Sequence, residues 1–110
     1  MVDSGKRWTV QDCDGNSIYL TEERWRHIIA AENHPEMAGY EHELTQTIQR
    51  GSRNQDSLNP RKYRYIQSIG NLPLGNTHIV AIVLFTFREN KTGQPEPNYY
   101  IVTAYQKEIG

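Results

Sequence analysis

The spacing of apolar positions along the chain changes from a two-residue to a helical repeat and back again, and those changes mark its elements. From Trp8 to Gln11 and from Ser17 to Leu20 polar and apolar residues alternate, and the Asp14-Gly15 pair between them suits a tight turn, so the pattern predicts an N-terminal β-hairpin. Residues 1–6 are small or polar and are expected to be disordered. Trp25, Ile28 and Ile29 then fall on one helical face. Thr21 can cap that helix, Glu22 and Glu23 place negative charge at its positive end, and Leu20 can staple against Trp25. A helix is predicted from near Glu22 to near Asn33, stopped because Pro35 excludes His34 from helical geometry.

Pro35 can open a new turn, after which Tyr40, Leu44, Thr47 and Ile48 recur at helical spacing, predicting a second amphipathic helix to about Arg50 with Gly51 as its stop. Residues 52–60 are polar and rich in turn formers, a surface loop with a short strand expected around Ser57 and Leu58. From Lys62 to Ile69 the chain alternates, with Tyr63, Tyr65, Gln67 and Ile69 on one face and Lys62, Arg64, Ile66 and Ser68 on the other. The nearly unbroken apolar run from His78 to Phe87 predicts a central strand. Asn90, Gly93, Pro95 and Pro97 predict irregular chain from Arg88 to Asn98. A last strand runs from Tyr99 to Tyr105, with Tyr99, Ile101, Thr103 and Tyr105 facing one way and Tyr100, Val102 and Ala104 the other. The order predicts one α+β domain, with the β-hairpin and two helices packed on one face of an antiparallel β-sheet and the other face open.

Composition narrows the range of functions. At 110 residues and 36% hydrophobic the chain suits one domain with a modest core, and seven tyrosines against two each of phenylalanine and tryptophan favour a half-exposed aromatic face. Lys and Arg total 12 against 13 Asp and Glu, so no global field draws the protein to nucleic acid or to an acidic membrane, and RNA binding would require a local basic patch. The single Cys13 excludes an internal disulfide and a multi-cysteine zinc site. No run is long enough to span a bilayer as a helix and no signal-peptide core is visible, so a cytoplasmic protein without membrane association is expected.

His27, His34, His42 and His78 do not form the close pair of a zinc helix, and the glycines do not cluster into a phosphate-cradling loop, so neither metal nor cofactor is expected. His27 lies opposite the apolar stripe of its helix, next to Arg24 and Ala31. It is either a solvated surface histidine or a group accessible for chemistry. With His34, the basic cluster Arg61, Lys62 and Arg64, and the Thr103 and Tyr105 hydroxyls, it belongs to the residue types that metal-free RNA cleavage uses. Imidazole moves protons near neutral pH, arginine stabilises a pentacoordinate phosphate, and tyrosine rings stack on unpaired bases. Lys62, Tyr65, Arg24 and His34 are the candidates for substrate contact. The same residues also suit a non-catalytic module that binds RNA or protein, or a partner subunit with no chemistry.

The strings TEERWRHI, HPEM, RKYRY and IVTAY, in that order, resemble the phage-type branch of the barnase, EndoU, colicin and RelE (BECR) nuclease superfamily, a resemblance that covers Trp8 to Tyr105. The resemblance implies a barnase/RelE-like fold and a toxin-like, metal-independent ribonuclease of phages, mobile elements or bacterial toxins, cleaving RNA by 2′-hydroxyl attack. Carried onto this chain, it implies proton transfer by His27, phosphate binding by Arg64, and positioning by Thr103 with Tyr105. RNA and a protein inhibitor or other protein are the expected partners, with the chain a monomer or homodimer.

Overall fold

The computed structural model describes residues 5–109; part of the stretch expected to be disordered, residues 1–4, lies outside them. Ordered structure begins earlier than expected, because the Gly5 carbonyl accepts the Glu22 N–H at 2.8 Å and Lys6 already pairs with Thr21. Strands β1 (Lys6–Gln11) and β2 (Ser17–Thr21) form the predicted antiparallel hairpin. Its turn is organised by the Asp12 carboxylate, which accepts the N–H groups of Asp14 and Asn16 and the Asn16 side-chain amide, with Gly15 at φ 84°.

Helix α1 (Glu22–Ile29) starts where the capping pattern puts it, the Thr21 hydroxyl accepting the Arg24 N–H at 3.0 Å, and buries Trp25 and Ile28. It ends four residues before the predicted stop. The Asn33 side-chain amide takes the His27 carbonyl and the His34 N–H takes the Ile28 carbonyl, so the last carbonyls are satisfied without another turn. Pro35 then opens a 3-10 turn (Pro35–Gly39), followed by helix α2 (Glu41–Arg50), which buries Leu44, Thr47 and Ile48.

Strands β3 (Ser52–Gln55), β4 (Lys62–Ser68), β5 (His78–Glu89) and β6 (Pro95–Lys107) complete a six-stranded sheet in the order β1-β2-β6-β5-β4-β3. All neighbours are antiparallel except β2 and β6, which run parallel through Ile18↔Tyr99 and Tyr19↔Tyr100. The strand near Ser57 and Leu58 is replaced by β3, five residues earlier. The stretch from Arg88 to Asn98 is a continuation of β5 and β6 closed by a turn in which Asn90 Oδ1 accepts the N–H groups of Thr92 and Gln94. Pro95 and Pro97 sit two residues apart in β6, so both lack their N–H on the same edge, which leaves the ladder to β5 intact.

The largest correction is in β6. Between Ile82 and Val83 the register shifts, with Val83 opposite Ile101 and Ile82 opposite Thr103, so Val102 is an extra residue. Tyr99, Ile101 and Ala104 therefore share the helix-covered face, whereas Tyr100, Thr103 and Tyr105 share the open one. The core lies between the helices and one face, with Ile18, Leu20, Trp25, Ile28, Met37, Leu44, Ile48, Ile79, Ala81, Val83 and Ile101 buried. On that face the sheet curls until the β1–β2 turn meets β4. The Tyr65 hydroxyl donates to Asp12 Oδ2 at 2.5 Å, and Arg53 pairs with Asp12 and Asp14 at 3.7 and 3.1 Å. No helix is long and apolar enough to cross a membrane among the described residues.

Candidate functional site

The open face of the sheet carries the polar chemistry, and strand register sets what meets there. Thr103 lies opposite Ile82, Ile82 opposite Arg64 and Arg64 opposite Asn54, one cross-strand row over β6, β5, β4 and β3. A second row, Tyr19, Tyr100, Leu84 and Lys62, runs beside it from β2 to β4. Side chains in such rows point to the same side of the sheet, so the bulge at Val102 brings Tyr105 and Thr103 to the face that holds Lys62 and Arg64.

Lys62, Arg64, Ile82 and Tyr105 surround one hollow of about 410 Å³ with Asn54, Gln55, Asp56 and Ser57 on its rim. That volume is within the ordinary range of small-ligand sites. Arg64 is exposed and makes no ion pair within 4 Å to another described residue, while Lys62 Nζ stands 3.8 Å from Asp56. The Leu58 and Asn59 N–H groups hold the Asp56 carboxyl below the usual carboxylate range against an opposing effect of burial, and Lys62 and Arg64 add lesser contributions. Asp56 thus stays ionised and fixes the turn that walls the hollow.

His34 does not line the hollow but touches Tyr105, which does. Its backbone is held by Ile28, the Gln106 amide donates to the Glu36 carbonyl at 3.2 Å, and the His34 ring packs on the Tyr105 ring with centroids 5.5 Å apart. The half-exposed imidazole has Nδ1 3.5 Å from Glu36 Oε2.

The other residues singled out from the sequence lie elsewhere. His27 is exposed, as its helical position implies, and shares a hollow of about 300 Å³ with Glu23 and Arg24, apart from the Arg64 hollow. Arg24 also borders a separate hollow with Tyr19, Thr21, Glu23, Tyr100 and Ile101. Thr103 is on the open face, in the row of Arg64, but is not part of the hollow's lining. Tyr65, expected to contact substrate, is 1% exposed on the helix side and bound to Asp12, so its ring is inaccessible to a base. Burial and the bond to Asp12 push its phenol well above the usual tyrosine range.

Asn54, Gln55, Asp56 and Ser57 were outside the sequence-based site because this stretch reads as polar loop. Tyr100 was missed because strict alternation separates it from Thr103 and Tyr105, and Tyr19 because only its pairing with Tyr100 brings it to this face. Among the described residues no group of three His, Cys, Asp or Glu side chains is placed to hold a metal ion. Comparison of the chain with protein-family models, with curated proteins and with solved structures gave no match.

Proposed function

We propose that the protein is a metal-independent ribonuclease of the toxin or phage type, which holds an RNA phosphodiester in the hollow between β3, β4 and β6. The observation that carries this reading is the meeting of Lys62, Arg64 and Tyr105 in one hollow with His34 packed on Tyr105. Three of the four stretches behind the BECR resemblance supply those residues: HPEM gives His34, RKYRY gives Lys62 and Arg64, and IVTAY gives Tyr105.

Proton transfer is assigned to His34 instead of His27, because the His34 ring packs on Tyr105, which lines the basic hollow, whereas His27 lines a different one. His34 Nε2 takes the proton of the ribose 2′-hydroxyl as that oxygen bonds to phosphorus. Arg64 and Lys62 offset the charge gathering on the non-bridging oxygens. The phosphorus to 5′-oxygen bond breaks, the Tyr105 hydroxyl delivers a proton to the leaving oxygen, and a 2′,3′-cyclic phosphate remains. Through water, His34 then gives up the proton it took and Tyr105 regains the one it gave, so no net proton is consumed. Asn54 and Ile82 flank Arg64 on its row, and Thr103 stands one strand further on.

The test is cleavage of single-stranded RNA by the purified protein in excess EDTA, with analysis of the product ends, for wild type and Arg64→Ala. Cyclic or 3′-phosphate ends, with a rate reduced ~10²-fold or more in the variant, are expected from loss of a transition-state charge partner. RNA that is bound and left intact would favour the second reading, a non-catalytic RNA-binding module, for which the separation of His27 from the Arg64 hollow speaks.

A further inference from the structure

A second hollow, where the start of α1 meets β2 and β6, is bordered by Tyr19 and Tyr100 from the open face and by Thr21, Glu23, Arg24 and Ile101, and has no part in the chemistry above. Its volume is about 190 Å³, a little more than the roughly 150 Å³ cavity that accepts one benzene. That is room for one planar ring. The two tyrosine rings stand 6.0 Å apart, tilted by 38°. Tyr19 is fixed in place: its hydroxyl donates to Asn98 Oδ1 at 2.7 Å, and Lys6 Nζ sits 4.4 Å from its ring centre. Thr21 is already committed to capping α1.

The charges at the rim decide what kind of ring fits. Arg24 makes no ion pair within 4 Å to another described residue, so its planar guanidinium is free to stack. Glu23 beside it repels a second phosphate, which disfavours an anion and favours a neutral ring with polar edges. The two hollows share no lining residue, but strand register relates them. Tyr100, Leu84 and Lys62 are consecutive members of one cross-strand row, so Tyr100 and Lys62 are two strand spacings, about 10 Å, apart on the same face.

We propose that the hollow formed by Tyr19, Arg24 and Tyr100 is a nucleobase subsite for single-stranded RNA, holding a base by stacking while the chain's phosphate lies against Lys62 and Arg64. This rests on the RNA reading of the neighbouring hollow, whose failure is separable in the test. Paired RNA is excluded from such a subsite, because a base must leave its helix to enter a one-ring hollow.

The test measures affinity of the full chain for a short, uncleavable 2′-O-methyl RNA, unmodified or with one abasic sugar moved along the strand, using wild type, Tyr100→Ala, Tyr100→Trp, Arg24→Ala and Arg64→Ala. Tyr100→Ala is expected to weaken binding of the unmodified strand about 5- to 100-fold, the usual effect of losing one aromatic-base stack. With the abasic sugar at one particular position the same substitution should change nothing. Tyr100→Trp should bind within a few-fold of wild type, which separates lost stacking from lost folding. If Arg64→Ala weakens binding while Tyr100→Ala and Arg24→Ala do not, the base subsite is refuted and the phosphate hollow stands. If wild type does not bind, or Arg64→Ala binds as wild type does, the RNA reading of the basic hollow fails and the subsite falls with it.

Discussion

Replacing Tyr65 by phenylalanine tests the bond that closes the curled sheet. The ring is 1% exposed, Asp12 is 6% exposed, and the hydroxyl donates to the carboxylate at 2.5 Å. Phenylalanine keeps the ring and removes the donor. Asp12 then retains the Asp14 and Asn16 N–H groups and the Asn16 side-chain amide, with Arg53 at 3.7 Å. Losing one hydrogen bond to a buried charged group costs ~1.5–3 kcal/mol, and ~2 kcal/mol lowers Tm by ~8 °C in a domain of this size.

The loss also has a pH signature. Burial alone raises the Asp12 carboxyl, but the bonds from Tyr65, Asn16 and Asp14 outweigh burial and leave it below the usual range. A lowered folded value contributes stability that is present above the unfolded value of ~3.9 and lost as pH falls through the folded one. Tyr65 behaves oppositely. Its raised phenol contributes stability that is complete below the unfolded value of ~10 and lost as pH rises beyond it. The gap in unfolding free energy between wild type and Tyr65→Phe is therefore widest between ~pH 5 and ~pH 9, and narrows in both acid and alkali. Urea unfolding across pH measures it. A gap under ~0.5 kcal/mol at neutral pH, within the scatter of ordinary surface substitutions, or one unchanged from acid to alkali, would refute this account of the closure.

Two further substitutions test how the elements are joined. Gly51, at φ −70°, is needed for space and not for backbone freedom. A Cβ there would press on the Thr47 carbonyl and lie 2.7 Å from the Ile66 carbonyl, both backbone, so Gly51→Ala is expected to cost ~1–3 kcal/mol in denaturant unfolding. Thr21→Ala removes the cap of α1 and should cost ~1 kcal/mol, with Thr21→Ser restoring most of it.

The sequence marks an element where one residue's chemistry decides it locally, as Thr21 and Pro35 do at the starts of α1 and the 3-10 turn and Lys62 to Ser68 do by alternation. The α+β architecture, with helices on one face of the sheet, follows from such signals. Elements decided by pairing at a distance were not visible. Strand β3 has no apolar residue and exists because Arg53 and Asn54 find partners in Tyr65 and Arg64. The outer parts of β5 and β6 depend on two prolines falling in the same phase. The early end of α1 depends on where the Asn33 amide turns.

The candidate site divides in the same way. Lys62 and Arg64 were legible as a basic strand face. The pairing of Thr103 and Tyr105 was legible too, but not the face they share, because nothing local to Val102 announces a bulge. Tyr65 read like Tyr63 and Tyr105, and only its distant partner Asp12 sets it apart.

The central claim is that RNA is cleaved at the hollow beside His34, and single-turnover cleavage of single-stranded RNA in excess EDTA by wild type, His34→Ala and His27→Ala tests it most directly. The account predicts cyclic phosphate ends from wild type, a rate ~10²–10⁴-fold lower for His34→Ala as befits a lost general base, and His27→Ala close to wild type. No cleavage by wild type, or activity that survives in His34→Ala and disappears in His27→Ala, would contradict it.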